Sequence, residues 1–307
     1  MDMPTISVII PAYNSRQYLA AALDSVLAQE YPAELIDIVV VDDGSRDDSA
    51  AIAEAYAMRH PRIQVIRQVN AGQSAARNAG ISATRGELVA FLDSDDSWQP
   101  QKCMLQAALY RAQPQVGLIH CASRFVDPAG RELDNYVRKS HSSQGDVLLE
   151  FFCNFFLITS AVMVPRHCLD TVGVFDESLR VGEDYDLFLR LAARWPAGGV
   201  EQPLLNRTIR ADSLSREDYD HDARIDLMIL ERFVEEHPDF ADRHRRAIRA
   251  RLAKYHYDFG YRLLDDGHIR RARRMLARSL SYRPSLQAGK AYARSLLPRR
   301  SWSLVRA

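Results

Sequence analysis

The sequence has few cysteines and no long apolar run, and both absences limit the class of protein. Its 307 residues include only four cysteines, scattered singly and without a C-x-x-C pair, which argues against a disulfide framework or a zinc site. No apolar run approaches the ~20 residues that span a bilayer. Residues 1–5 lead directly into a strand-like segment, so we expect no signal peptide. These features predict a cytoplasmic protein with free thiols.

Acidic residues are missing from the end of the chain. All 40 aspartates and glutamates precede residue 267, whereas eleven of the 40 lysines and arginines follow it, although the net charge is zero. A uniformly basic tail is typical of contact with an anionic surface. We expect peripheral contact with the inner face of a membrane and no nucleic-acid partner. The alternative is an arginine-rich helix face that only meets solvent.

Strands and helices alternate in the first hundred residues, and this order predicts an α/β fold with a mostly parallel sheet. Pro11 is expected to end the first strand. The predicted strands are Ile6–Ile10, Ile36–Val41, Ile63–Arg67 and Leu88–Leu92. The predicted helices are Gln17–Gln29, Ser49–Arg59, Ser74–Thr84 and one that begins near Pro100. Residues 116–126 and 156–164 are apolar runs that predict further strands of a mixed sheet.

Polar or acidic residues follow three of the predicted strands, at the edge where parallel sheets bind ligands. The last of these clusters holds Asp93, Asp95 and Asp96 within four positions. Like charges this close repel, and hard oxygen ligands suit Mg²⁺ or Mn²⁺. No G-x-G-x-x-G follows a strand and no G-x-x-x-x-G-K-[ST] occurs, so a diphosphate here would need a cation. The alternative is an acidic turn that caps the next helix.

Six segments, in this order, resemble the motifs of family 2 glycosyltransferases. They are Ser7-Val-Ile-Ile-Pro-Ala-Tyr-Asn14, Val40-Val-Asp-Asp-Gly-Ser45, Ala75-Ala-Arg-Asn-Ala-Gly80, Phe91-Leu-Asp-Ser-Asp-Asp-Ser-Trp98, Val172-Gly-Val-Phe-Asp-Glu177 and Gly182-Glu-Asp-Tyr-Asp-Leu187. The resemblance covers about residues 5–215. It implies a GT-A fold and an inverting enzyme that uses a nucleoside-diphosphate sugar, with UDP as the first choice by family frequency.

The resemblance also implies a donor site. Its residues would be Pro11, Ala12, Tyr13, Asn14, Asp42, Asp43, Arg77, Asp93 and Ser94. Tyr13 would lie against the base, Asp43 would accept a hydrogen bond from the base, and Arg77 would bind base, ribose or phosphate. The alternatives are a Tyr13 packed on the following helix, an Asp42 that caps the turn, and an Arg77 that points to solvent.

By the same resemblance, Asp95 would be the chief ligand of Mg²⁺ or Mn²⁺, and Asp93 would contact ribose or metal. Asp184 would be the base that deprotonates the acceptor hydroxyl, and Glu183 would orient it. Capping of the helix that begins here is the alternative role for this pair, and both roles can hold together.

Two positions depart from the family's patterns. Arg210 stands where many relatives have a histidine that completes the metal site, so the third protein ligand is open. Leu191 stands where the Q-x-x-R-W motif of processive synthases has its glutamine, which favours transfer of single sugars.

The chain is therefore divided into a GT-A domain at residues 1–215 and a basic, all-helical region at 216–307 that partly resembles a tetratricopeptide hairpin. The predicted helices of that region are Ile225–Glu236, about Asp242–Asp265, Ile269–Leu280 and one from Pro284. The predicted function is non-processive transfer of a sugar to a glycan, lipid-linked or other hydroxyl acceptor, in polysaccharide or glycoconjugate synthesis. The alternative is a degenerate relative that binds a nucleotide sugar or glycan without turnover.

Overall fold

The computed structural model describes residues 3–133, 144–209 and 219–297. The chain divides into two compact units. The first comprises residues 1–151 and 155–213, and the second comprises 152–154 and 214–307. No helix within the described ranges is both long and apolar enough to cross a bilayer.

The first unit holds a sheet of eight strands. They are β1 (Ile6–Ala12), β2 (Ile36–Asp42), β3 (Ile63–Arg67), β4 (Leu88–Phe91), β5 (Ser97–Trp98), β6 (Leu118–Val126), β7 (Met163–Pro165) and β8 (Ala197–Thr208). The helices that accompany them are α1 (Leu19–Leu27), α2 (Ser49–Arg59), α3 (Gln73–Ala83), α4 (Lys102–Ala112), α5 (Leu148–Cys153), α6 (Arg166–Val172) and α7 (Glu183–Ala192). The predicted α/β class is confirmed.

The strand order is β3-β2-β1-β4-β7-β6-β8-β5. Strands β1 to β4 are parallel to their neighbours in this set, whereas β7 and β5 are antiparallel to theirs. Alternate residues of the parallel strands pack on opposite faces. Val8 and Val40 belong to one core with Leu23 of α1, and Val39 packs with Ala76 of α3 in another. Helices therefore cover both faces, which explains the uninterrupted apolar strands.

Pro11 does not end the first strand, as the sequence predicted, because β1 continues to Ala12. The carbonyl of Ile9 accepts a hydrogen bond from Leu92 N, so the odd-numbered residues of β1 face β4. Pairing with β4 ends at Ile9. The missing N–H of Pro11 therefore costs the sheet no hydrogen bond. The three predicted strand ends consequently meet at one edge, with Ala12 beside Asp42.

The second half of the sheet departs further from the prediction. The predicted strand over 156–164 is a short 3-10 turn at Thr159–Ala161 followed by the three-residue β7. The twelve-residue β8 was not predicted. Its sequence contains two glycines and a proline, and its pairing with β6 is irregular at Cys121 and Ala122, so strand periodicity is weak there.

The described part of the second unit is helical, as predicted. Its helices are α8 (Tyr219–Glu236), α9 (Pro238–Arg243), α10 (Arg245–Asp265), α11 (Ile269–Tyr282) and α12 (Leu286–Leu296). A small apolar core joins α10, α11 and α12 around Leu263, Leu276 and Ala291. One predicted helix, about Asp242–Asp265, is split, because His244 leaves the helical conformation between α9 and α10.

Candidate active site

The acidic cluster lies directly after β4, where the parallel strand ends. Asp96 is buried, and Asp93 and Asp95 are partly buried. Burial, and then the charges of Asp95 and Asp93, raise the pKa of Asp96 to about 8. The carboxylate of Asp96 accepts a hydrogen bond from Thr208 N at 3.0 Å. Three carboxyl groups are thus gathered at this edge, as the sequence predicted, and Asp96 is mostly protonated at neutral pH.

Ser160 holds the acidic cluster in place through hydrogen bonds. Its hydroxyl accepts a hydrogen bond from Asp93 N at 3.0 Å and also bonds the Asp96 carboxyl. Its carbonyl accepts a hydrogen bond from the indole of Trp98 at 2.8 Å. Ser160 is fully buried, and no sequence pattern marks it as a site residue because it lies in a single short turn. The backbone of Asp93 and the carboxyl of Asp96 are therefore both held by one buried side chain.

Arg77 of α3 bridges the acidic cluster and the start of α7. Its Nη2 lies 2.7 Å from Asp93 Oδ1 and its Nη1 lies 2.7 Å from Glu183 Oε1. The side chain is only 1% exposed and lies against the ring of Phe175, so the solvent-facing alternative is wrong. Burial alone would lower the pKa of Arg77, but the two carboxylates outweigh it and keep the guanidinium charged. A direct contact with a donor stays a prediction.

Glu183 and Asp184 open α7 after Gly182, whose φ of +74° is a left-handed conformation that favours glycine. Glu183 is buried and also accepts a hydrogen bond from Gln73 Nε2 at 2.6 Å. Asp184 accepts hydrogen bonds from Thr159 Oγ1 at 3.1 Å and from Tyr185 N at 2.7 Å. Both carboxylates lie in the first turn of α7, where negative charge interacts favourably with the helix dipole.

The pKa of Asp184 lies close to neutrality. Burial is the largest cause, and the charge of the adjacent Glu183 adds to it, so the pKa rises to about 7. Arg77 and the hydrogen bonds from Tyr185 and Thr159 act in the opposite direction. A carboxylate with this pKa can take a proton near neutral pH and return it to solvent. This is the property that a general base requires.

The loop after β1 forms another part of the same edge. Pro11 and Ala12 are buried in the strand, whereas Tyr13 is 47% exposed, which leaves its ring available for stacking. Asn14 adopts a left-handed φ of +49°, and its side-chain oxygen accepts a hydrogen bond from Arg46 N. Stacking of Tyr13 on a base stays a prediction, as does its alternative packing on the following helix.

Two serines tie this loop to the acidic cluster. The hydroxyls of Ser15 and Ser94 lie 2.7 Å apart, and Ser15 N donates to Ser49 Oγ. These contacts connect the loop after β1 with the start of α2 and with the segment after β4. Ser15 and Ser49 were not among the predicted site residues.

Asp43 is buried and already holds a neighbouring loop. Its carboxylate accepts hydrogen bonds from Gln68 Nε2 at 2.8 Å and from the backbone of Ala71 and Gly72, both at 2.9 Å. These bonds fasten the start of α3, a role that the sequence did not predict. Asp42 is also buried and accepts a long hydrogen bond of 3.4 Å from Ser45 N, in line with its alternative role in the turn. Binding of a base by Asp42 or Asp43 stays a prediction.

The cluster fits a divalent cation in its chemistry but is not a complete cage. Its donors are carboxylate oxygens. Burial is the main cause that raises the pKa of Asp96, and the repulsion from Asp95 and Asp93 that adds to it is what a bound cation would relieve. Within 3–133, 144–209 and 219–297, no group of three or more His, Cys, Asp or Glu side chains is arranged to hold a metal. Arg210, discussed above for the third ligand, lies outside the described residues.

Comparison with known proteins identifies relatives for this arrangement. The profile of the family described as Glycosyl transferase family 2 matches residues 7–161, half of the chain. The chain is 38% identical over 146 residues to the putative glycosyltransferase EpsH of Bacillus subtilis, covering 47% of this chain and 41% of that protein. It is 28% identical over 213 residues to the chondroitin synthase of Escherichia coli, covering 69% and 30%. The chain thus spans less than half the length of these relatives.

Solved structures share the fold. The crystal structure of S. aureus TarS 1–349 in complex with UDP-GlcNAc matches with a TM-score of 0.64 at 18% identity, covering 98% of this chain and 92% of that one. The mannosyltransferase PcManGT from Pyrobaculum calidifontis, in complex with GDP-Man and Mn²⁺, matches with a TM-score of 0.61 at 20% identity, covering 99% and 84%. The predicted GT-A fold is confirmed.

Proposed function

The chain belongs to glycosyl transferase family 2, and on that premise we propose that it transfers a sugar from a nucleoside-diphosphate sugar to a hydroxyl acceptor. The observation that carries this proposal is the bridge Asp93–Arg77–Glu183, which joins the acidic sheet edge to the helix that bears Asp184. A donor site and a base must stand in fixed relation for a displacement at the anomeric carbon. The bridge provides that relation.

Asp184 is the proposed base. With a pKa of about 7 it is partly ionised at neutral pH and can remove the proton as the acceptor oxygen attacks. Direct attack on the face opposite the leaving diphosphate inverts the anomeric configuration. Glu183, held by Arg77 and Gln73, keeps the first turn of α7 in place.

The donor lies, in this proposal, along the carboxyl ends of β1, β2 and β4. Tyr13 stacks on the base, and Asp43 with Asp42 accepts hydrogen bonds from it. The other contacts are Pro11, Ala12, Asn14, Arg77, Asp93 and Ser94. Support comes from the meeting of these strand ends at one edge and from the nucleotide sugars bound by the two structural neighbours, UDP-GlcNAc and GDP-Man. UDP donors are the first to test.

Asp95 and Asp93 are the proposed holders of Mg²⁺ or Mn²⁺. When bound, such a cation neutralises the charge of the diphosphate and of the departing nucleoside diphosphate. Support comes from the all-oxygen donor set and from the Mn²⁺ in the complex of PcManGT. Ser160 holds the backbone N–H of Asp93 beside this proposed site.

We propose that transfer is non-processive and serves polysaccharide or glycoconjugate synthesis, with a glycan, lipid-linked or other hydroxyl acceptor. Leu191 is fully buried in α7, so the position where processive synthases have a glutamine is part of the core. The chondroitin synthase among the relatives supports a polysaccharide context.

The basic face of α11 is proposed to contact an anionic membrane surface. Arg270, Arg271, Arg274 and Arg278 are exposed and fall on one side of the helix. Each arginine near such a surface contributes about 1 kcal/mol, so four of them support weak, salt-sensitive binding. Arg278 is also paired with Glu231, which reduces its share. Arg299, Arg300 and Arg306 of the basic tail lie outside the described residues.

The test is a panel of UDP, GDP and dTDP sugars with MnCl₂, in which release of nucleoside diphosphate reports turnover. We expect one donor to be hydrolysed slowly without acceptor and faster with a glycan acceptor. Asp184→Asn should retain affinity for the nucleoside diphosphate and lose transfer by about a hundredfold or more. Binding of a donor without any turnover would contradict the proposal and favour a binding protein.

A further inference from the structure

Helix α3 contacts the segment that leads to the proposed base at four of its side chains. Gln73 and Arg77 bond Glu183, the hydroxyl of Ser74 donates to Leu179 O at 3.4 Å, and Asn78 bonds Phe175. These four positions are spaced i, i+1, i+4 and i+5, so they share one face of the helix. The segment 175–183 therefore follows α3 along its length.

Asn78 makes the most specific of these contacts. Its Oδ1 accepts a hydrogen bond from Phe175 N at 3.0 Å, while its Nδ2 donates to Phe175 O at 2.9 Å and to Glu177 Oε1 at 2.8 Å. The side chain is 8% exposed. Only an amide offers a donor and an acceptor in this arrangement, because a carboxylate has no N–H to give. Asn78 thus pairs with the backbone of Phe175 as a neighbouring strand would.

Phe175 connects this anchored segment to the candidate active site. Its ring packs edge-on against Phe91 of β4 with centroids 5.2 Å apart, and Arg77 lies over the same ring. The next anchored residue toward α7 is Leu179, and Gly182 then turns the chain into the first turn that holds Asp184. The path from Asn78 to the base is continuous along one short stretch of backbone.

We propose that Asn78 is a positioning residue for glycosyl transfer, which holds the 175–183 segment on α3 and thereby sets the place of Asp184 relative to the donor edge. This inference rests on the proposed function. A displacement of about 1 Å at a reacting group can cost on the order of a hundredfold in rate. Donor binding should be little affected, because Asp93 is fixed independently through Ser160.

The sharpest probe is Asn78→Asp, which keeps the shape but removes both donated hydrogen bonds and sets a second carboxylate against Glu177. We expect kcat to fall about ten- to a hundredfold, with the affinity for nucleoside diphosphate within about threefold of the unmutated protein. Adding Glu177→Gln removes the repulsion and supplies an N–H to the new carboxylate, so part of the lost kcat should return. Glu177→Gln alone should have little effect.

Ser178→Ala is the matched control within the same segment. It removes the hydrogen bond from Ser178 Oγ to Asp176 Oδ1, which lies 2.6 Å away within the segment itself. We expect its kcat to stay within about twofold of the unmutated protein. An equal loss in Ser178→Ala and Asn78→Asp would show that any disturbance of the loop suffices, and would overturn the specific role of Asn78.

Hydrogen exchange of the backbone amides, read by mass spectrometry on peptides from 174–184, tests the anchoring without any turnover. Exchange there should speed up in Asn78→Asp and partly recover in the double variant. Unchanged exchange would overturn the proposed anchoring, and faster exchange with an unchanged kcat would overturn its role in positioning. If the unmutated protein transfers no sugar, the proposed function fails while the exchange result still decides whether Asn78 holds the segment.

Discussion

Glu183→Gln offers a quantitative test of the electrostatics around Asp184. The charge of Glu183 is one of the two main causes that raise the pKa of Asp184 to about 7. Glutamine keeps the shape and a hydrogen-bond acceptor for Arg77 but removes that charge. With Glu183 neutral, the positive charge of Arg77 is less compensated and therefore stabilises ionised Asp184 more strongly. Both effects lower the pKa of Asp184.

The magnitude follows from the ionised fraction of the base. With a pKa of about 7, Asp184 is about one-tenth ionised at pH 6 and almost fully ionised at pH 8.5, so the ratio of the two rates is about 0.1. A decrease of about one pKa unit in the variant raises that ratio to about 0.5. The absolute rate at pH 8.5 should fall, since Glu183 also orients the helix start. The ratio of the rates at pH 6 and pH 8.5 is unaffected, because that loss lowers both rates by the same factor.

The assay is release of nucleoside diphosphate from the best donor at saturating concentration between pH 5.5 and 9. Gln73→Ala is the matched control, because it removes a hydrogen bond to the same Glu183 oxygen without changing any charge. Its ratio should stay near that of the unmutated protein. A Glu183→Gln variant whose acidic limb does not move to lower pH would refute the assignment of that limb to Asp184.

Three other predictions concern the metal, the core and the basic helix. Asp95→Asn should lower Mn²⁺-dependent turnover by at least about a hundredfold, and full activity of the unmutated protein in chelator would contradict the metal site. Gly80→Ala should destabilise the first unit by about 1–3 kcal/mol in denaturant titration, because a Cβ would come 2.5 Å from Ile9 Cγ2, whereas Gly289→Ala has open space and should not destabilise. Replacement of Arg270 and Arg274 by Glu should abolish sedimentation with phosphatidylserine vesicles at low salt, and retained binding would exclude α11 as the contact.

The parallel half of the fold follows from sequence patterns, and the mixed half does not. Ile36–Asp42 is apolar except for Asp37 and its last residue, and it is bounded by turn residues, so its strand was predicted within one residue. Strand β8 escaped prediction because Gly198, Gly199 and Pro203 break the pattern that marks a strand. There the pairing with β6 outweighs local preference.

The candidate site shows the same division. The order of the motifs placed Asp93, Glu183 and Asp184 among the functional residues. In the structure Asp93 and Glu183 form ion pairs with Arg77, and Asp184 follows Glu183 in the first turn of α7. The partners that orient them were missed, because Gln73 and Ser160 are ordinary polar residues whose role depends on tertiary contact. Sequence periodicity carries no information about which buried hydroxyl meets which carboxylate.

The hydrogen bonds that Asp43 accepts from Ala71 N and Gly72 N have a consequence for attempts to redesign nucleotide preference. Asp43 would be an obvious position to vary if it reads the base, yet its carboxylate also fastens the helix from which Arg77 and Asn78 project. Libraries that randomise Asp43 should therefore yield mostly inactive proteins instead of altered selectivity. The exposed Tyr13 makes the better starting point for directed evolution, since its ring is free to change without loosening that helix.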